Sequence, residues 1–191
     1  QPRAAAMAAT PAFDAHDISG YWNLSYDMRR VPAANLAVGV TKVMLAAAAK
    51  RDAHAIRYCN LPGMPVVMDL GRPLDIQQGL TQIILTPEAN ATPRYLYFRS
   101  AHISPDVFDT TTNGDSIARW EGDALIVDTI GFHGSRGITS IPGGGYRTDK
   151  THVIERDRLM DSGNTLAVTF TWIDPKIYRT PHTYEYRYHR M

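Results

Sequence analysis

Residues 114–132 read GDSIARWEGDALIVDTIGF, two short β-like runs joined by a tight turn. The first run covers residues 116–121 and the second covers residues 124–130, with Gly122 and Asp123 between them. A short glycine- and aspartate-containing connection between two such runs is a typical signal of a β-hairpin. This segment therefore predicts an antiparallel hairpin in the middle of the chain.

Further β-like runs lie on both sides of this hairpin, and they extend the expected sheet. They cover residues 81–86, 94–100, 150–159, 165–173 and 183–190. Closely spaced strands without intervening helices are typical of antiparallel barrels and sandwiches. We expect an α+β fold, mainly antiparallel β, built as a curled sheet or lipocalin-like barrel with one N-terminal helix.

The helix is predicted at residues 32–55, where an alanine-rich segment ends close to Lys50 and Arg51. Alanine has the highest helix propensity, and proline at position 32 is tolerated in a first turn. Leu36, Val40, Val43 and Ala47 recur at helical spacing, so we expect this stripe to pack on the rest of the domain.

Length and composition exclude several classes of protein. The chain has 191 residues, a net charge of +1 and one cysteine, Cys59, so an intrachain disulfide is impossible. The balanced charge argues against nucleic acid as a partner, and no apolar run is long enough for a membrane span.

We expect a flexible tail at residues 1–13, followed by a single domain at 14–191. The tail is typical of a leader remnant, which favours a periplasmic or secreted protein, and a cytoplasmic location stays open. Assembly into a homo-oligomer stays open as well.

The first candidate for chemistry is Asp128, which alternation places between Ile126 and Ile130 on an apolar strand face. A carboxylate on such a face is costly unless it is paired, and buried carboxylates are frequent at sites of proton transfer. The alternative is a structural aspartate bonded to a backbone amide or an arginine.

Three of the seven histidines are candidate partners of Asp128. His102 and His182 lie in loops or at strand ends, and His152 lies on a strand with charged residues on both faces. No two histidines have the close spacing of a helical metal motif, so the metal prediction is none, although ligands scattered over several strands stay open. No dinucleotide- or phosphate-binding motif is present either, so we expect no cofactor.

Five other residues are candidates for substrate binding. Tyr178 or Arg119 is expected to orient a substrate oxygen, and aromatic side chains are expected to line an apolar pocket. The aromatic candidates are Trp120, Trp172 and Tyr186.

The opening stretch, together with residues 59–65, 152–156 and 173–178, resembles the signature of a large, mostly uncharacterised family of bacterial proteins, many of them exported. The resemblance implies a β-rich, barrel-like fold and is almost silent on activity. Two segments depart from the family pattern, at residues 98–103 and 181–183. The second carries His182 where the pattern has a tryptophan.

These observations predict a cofactor-independent acid–base enzyme, a lyase or isomerase acting on a small hydrophobic oxygenated molecule such as a terpenoid or an aromatic compound. One group protonates or polarises an oxygen while another removes a proton. The alternatives are a non-catalytic, calyx-type small-molecule binding protein and a metallohydrolase.

Overall fold

A computed structural model describes residues 13–25, 31–57, 62–69, 71–88, 92–135 and 139–191 of the chain. Most of the predicted tail and Cys59 lie outside the described residues. Within this part of the chain, nine strands form a closed barrel, accompanied by one α-helix. The elements are β1 (Gly20–Leu24), α1 (Lys42–Arg57), β2 (Leu74–Gln78), β3 (Gln82–Pro87), β4 (Arg94–Tyr97), β5 (Asp115–Glu121), β6 (Ala124–Ile130), β7 (His152–Met160), β8 (Thr165–Ile173) and β9 (His182–Arg190).

The strands follow one another around the barrel in chain order, and β9 closes against β1. All neighbouring pairs are antiparallel except β4 and β5, which are parallel. The predicted α+β class, with a mainly antiparallel barrel and one helix, is confirmed. Strands β1 and β2 were not among the predicted strands, whereas each of the seven predicted runs overlaps one strand.

The helix begins ten residues later than predicted. Before it, the backbone of residues 34–37 bonds to other segments: Ala34 donates to Gly143 and Ala37 to Ile177. Thr41 then caps the helix, because its hydroxyl accepts from the amide of Met44. The predicted apolar stripe is confirmed only in part: Leu36 and Val40 pack against the core but precede the helix, whereas Val43 is 78% exposed. The helix instead buries Ala48, Asp52 and Ala55.

Asp52 attaches α1 to the loop that precedes β7. Its carboxylate accepts hydrogen bonds from the amide and hydroxyl of Thr139, at 2.7 and 3.0 Å, and from the amide of Ser140 at 3.0 Å. The glycine-rich loop continues from there and packs on Tyr178 and His182. This part of the loop is therefore a packed connection.

The barrel interior is filled mainly by apolar and aromatic side chains, among them Trp22, Phe170 and Trp172. It also contains a charged pair. Arg94 on β4 bonds to Glu155 on β7 at 2.5 and 2.7 Å, and both side chains are almost fully buried. The same guanidinium donates to Thr129 on β6 and to Ser116 on β5. Arg94 therefore connects its own strand to three others.

None of the described helices is long and apolar enough to span a bilayer.

Candidate functional site

The parallel pairing of β4 and β5 determines how the candidate site is built. Parallel neighbours require a connection that crosses over from one end of the strands to the other. Here the connection is residues 98–114, which carries Arg99 and His102 to the outer face of the barrel. This crossover brings the histidine over β5 and β6, where alternation alone places no imidazole.

Asp128 lies at the centre of the site and contacts two histidines through one oxygen. Its Oδ1 is 2.8 Å from Nε2 of His152 and 3.1 Å from Nε2 of His102. Asp128 is paired with Ile154 in the ladder, so His152, two residues earlier on β7, lies diagonally opposite on the same face. The structure therefore brings three predicted catalytic residues together.

The expected burial of Asp128 needs correction. Leu125, Val127 and Thr129 point into the barrel, so Asp128 points outward and is 26% exposed. Ile126 and Ile130 share this outward face, as the alternation predicts. The carboxylate is half-buried by what packs on the outside of the barrel.

Asp115 is a member of the site that the sequence reasoning missed. Its Oδ2 lies 3.0 Å from Nδ1 of His102 and accepts from the amide of Ile103 at 3.0 Å. Its other oxygen pairs with Arg99. Asp115 is only 3% exposed, so these contacts supply the partners that a buried carboxylate requires. The hairpin register was the available signal, because it makes Asp115 a diagonal neighbour of Asp128.

The two histidines differ in which ring nitrogens remain available to a ligand. His102 contacts a carboxylate at each ring nitrogen, so neither nitrogen is available to a substrate. His152 contacts Asp128 through Nε2 only, and among the described residues Nδ1 has no hydrogen-bond partner. His152 is also the more exposed, at 35% against 18% for His102. Of the two rings, His152 is therefore the one with a nitrogen open to a bound molecule.

His152 lines a cavity of about 380 Å³ on the outside of the barrel, here named the histidine recess. Its apolar walls include Ile103, Phe108 and Ile130, and its polar lining includes Asp149 and Lys150. The volume is at the small end of the range for ligand pockets, which spans roughly 300–1,000 Å³. The recess therefore has room for a small apolar molecule next to the imidazole.

A glycine allows the crossover to pack closely against the strand. Gly131 has φ +73°, and a Cβ at this position would lie 2.7 Å from the ring of Phe108. The backbone of Thr111 also bonds to Gly131 and His133. These contacts hold the crossover over the end of β6 and form one wall of the recess.

The other predicted site residues lie elsewhere. His182 contacts the carbonyl of Pro142 at 2.7 Å, and Tyr178 donates to Gly144 at 3.1 Å. Arg119 forms an exposed ion pair with Glu121, and Trp120 packs against His16. Trp172 and Tyr186 are buried inside the barrel.

Burial also changes the acid–base behaviour of the tyrosines outside the site. It raises the pKa of Tyr178, with a smaller contribution from the nearby charge of Asp174. Burial likewise raises the pKa of Tyr184 and of Tyr188. These hydroxyls therefore stay protonated near neutral pH.

Among the described residues, no group of three or more histidine, cysteine, aspartate or glutamate side chains is arranged to hold a metal ion. At Asp128 the ring nitrogens are directed at carboxylate oxygens within hydrogen-bond distance. The described side chains of the site form a hydrogen-bonded network.

No protein-family model matches the chain, and no curated protein matches it. The resemblance to the family of exported bacterial proteins stays a prediction.

Proposed function

We propose that the chain is a cofactor-independent acid–base enzyme, a lyase or isomerase, that acts on a small hydrophobic oxygenated molecule bound in the histidine recess. The observation that carries the proposal is the contact between His152 and Asp128. One carboxylate oxygen holds Nε2 of the imidazole at 2.8 Å, while the ring itself lines a mostly apolar cavity.

The proposed chemistry follows from what each group can donate or accept. An ionised carboxylate only accepts hydrogen bonds, so Nε2 of His152 carries the proton and Nδ1 carries the lone pair. Nδ1 then takes a proton from the substrate, and the negative charge of Asp128 stabilises the imidazolium that forms. In an isomerisation the ring returns this proton to another substrate atom. In an elimination the proton leaves with the departing oxygen, so neither reaction consumes a co-reactant.

The network around Asp128 supports this role by fixing the carboxylate. His102 bonds to the same oxygen, and Asp115 contacts the other ring nitrogen of His102. A second contact of this kind limits the rotation of the carboxylate, and such support is what keeps a catalytic group in its productive geometry. Replacement of His102 is therefore expected to weaken the reaction less than replacement of His152.

The lining of the recess supports the substrate class. Ile103, Phe108 and Ile130 offer apolar contact, whereas His152 and Lys150 offer donors and acceptors for an oxygen. A compact terpenoid or aromatic compound with one or two oxygen atoms has this distribution of polarity.

The test is to incubate the chain with a panel of epoxides, terpenoid alcohols and oxygenated aromatic compounds and to detect products by mass spectrometry. For a compound that is converted, His152→Gln and Asp128→Asn should each reduce turnover by about 10²–10⁴-fold, the usual contribution of general acid–base catalysis. His189→Gln is the matched control, because His189 is exposed on β9. Full activity of folded His152→Gln would remove the imidazole from the mechanism.

The two alternatives give different results in the same experiment. A binding protein would retain compounds tightly, return them unchanged and tolerate an apolar residue at position 128. A metallohydrolase would contain about one equivalent of a transition metal after purification and lose its activity with a chelator.

A further inference from the structure

A second cavity lies on the outer face, beside the site, and the crossover lines part of it too. It has a volume of about 660 Å³, and its walls include Tyr95 and Tyr97 of β4 together with Arg99. We name it the tyrosine recess. It shares Ile103, Phe108 and Asp115 with the histidine recess, so the two cavities are neighbours.

The wall formed by β4 and the residues after it is a row of flat groups. Tyr95 and Tyr97 point outward, because the alternate residues Arg94 and Leu96 are buried in the barrel. The two rings are nearly parallel, with an interplanar angle of 12° and centroids 6.2 Å apart. The guanidinium of Arg99 lies over the Tyr97 ring, 4.6 Å from its centroid. Tyr95 ends the row and remains 42% exposed.

We propose that the tyrosine recess binds a planar aromatic ring that carries an oxygen substituent, and that this ring belongs to the substrate of the site at His152. The proposal names the substrate class and rests on the proposed function for its second part. The ring packs across the outward-facing sides of Tyr95 and Tyr97, next to Arg99, since aromatic rings prefer offset-stacked or edge-to-face contacts. The oxygen substituent accepts a hydrogen bond from the exposed part of Arg99.

Arg99 is suited to this role because its geometry is already fixed. One of its terminal nitrogens pairs with the buried carboxylate of Asp115, while the side chain as a whole is 31% exposed. A guanidinium has five N–H donors in one plane, so pairing with Asp115 leaves others for a ligand oxygen. Its position over the Tyr97 ring places these donors beside the aromatic wall of the recess.

Hydrogen bonds also connect the two recesses. Asp115 contacts both Arg99 and His102, and His102 contacts Asp128, which holds His152. A ligand bound at Arg99 therefore contacts the same network that orients the proposed base. This connection favours one substrate served by both cavities over two unrelated sites.

The test measures equilibrium binding and requires no turnover. Benzoate and benzyl alcohol are titrated into the full chain and followed by protein NMR, with cyclohexanecarboxylate as the saturated counterpart of benzoate. We expect the aromatic compounds to bind and to shift signals of Tyr95 and Tyr97. Equal binding of benzoate and cyclohexanecarboxylate, or no binding of either aromatic compound, would overturn the proposal.

Two variants with matched controls locate the binding. Tyr95→Leu should weaken the binding of benzoate by roughly three- to tenfold, the contribution of one aromatic pair. Tyr21→Leu is its control, because Tyr21 is 39% exposed on the outside of β1. Arg99→Lys keeps a charge next to Asp115 but loses the flat guanidinium, so it should also weaken binding, whereas Arg119→Lys should not. Unchanged binding in Tyr95→Leu would overturn the proposal.

His152→Gln separates this proposal from the proposed function. Benzoate should bind this variant as it binds the unchanged chain, since the tyrosine recess does not include His152. Aromatic binding without conversion of any aromatic compound would retain the binding site and refute its part in the proposed reaction.

Discussion

Replacement of Arg94 by methionine should strongly destabilise the barrel. Arg94 and Glu155 are 0% and 1% exposed and form hydrogen bonds of 2.5 and 2.7 Å. Loss of the guanidinium leaves the Glu155 carboxylate buried without its cation, and breaking a buried pair in this way costs about 3–5 kcal/mol. In a chain of this length, each kcal/mol corresponds to about 2–4 °C, so the expected fall in Tm is roughly 6–20 °C.

The assay is urea denaturation followed by tryptophan fluorescence, with a thermal melt as a second measurement. Arg119→Met is the matched control, because Arg119 is paired with Glu121 on the surface and both side chains are about half exposed. Exposed pairs contribute about 0–1 kcal/mol, so this control should unfold close to the unchanged chain.

A double variant tests the physical reason. Arg94→Met combined with Glu155→Met removes both charges, and apolar replacement of a whole buried pair is often neutral. We expect it to recover most of the stability that the single variant loses. A loss below about 1 kcal/mol in Arg94→Met would refute the assigned role of the pair. So would a double variant no more stable than the single one.

Three further predictions concern other parts of the fold. Burial and the nearby Glu155 raise the pKa of Asp157. Above about pH 4, the folded chain therefore binds more protons than the unfolded chain. The free energy of unfolding should fall as the pH rises from there. Asp157→Asn should abolish this component of the pH profile in urea titrations. Gly131→Ala should cost about 1–3 kcal/mol in the same assay, because φ is +73° and the new Cβ meets Phe108. Asp52→Ala should cost about 1–3 kcal/mol and accelerate hydrogen exchange at the amides of Thr139 and Ser140.

Local patterns predicted most of the sheet, because strand alternation and turn chemistry are properties of neighbouring residues. The hairpin at residues 116–130 is an example, since Gly122 and Asp123 are enough to indicate it. The start of the helix was missed for a tertiary reason. Residues 34–37 bond to the segments around Gly143 and Ile177, and these contacts outweigh local helix propensity.

Alternation also predicted which residues share a face with Asp128, but it did not establish which face lines the barrel interior. Both faces of β7 carry polar groups: Glu155 and Asp157 point inward, and His152 points outward. In such a strand, the side that is buried depends on the neighbouring strands. The sequence indicated His102 as a candidate but could not place it next to Asp128, because its location depends on how the crossover lies on the barrel.

The most direct test of the central claim is to determine the tautomer of the His152 ring by ¹⁵N-resolved NMR at about pH 8, where an ordinary imidazole is neutral. If Asp128 holds the proton on Nε2, the ring should be the Nε2–H tautomer, and its Nδ1 signal should be that of an unprotonated nitrogen. Asp128→Asn removes the charge that fixes this proton, so a mixture of both tautomers should appear. The Nδ1–H tautomer in the unchanged chain would contradict the proposed base.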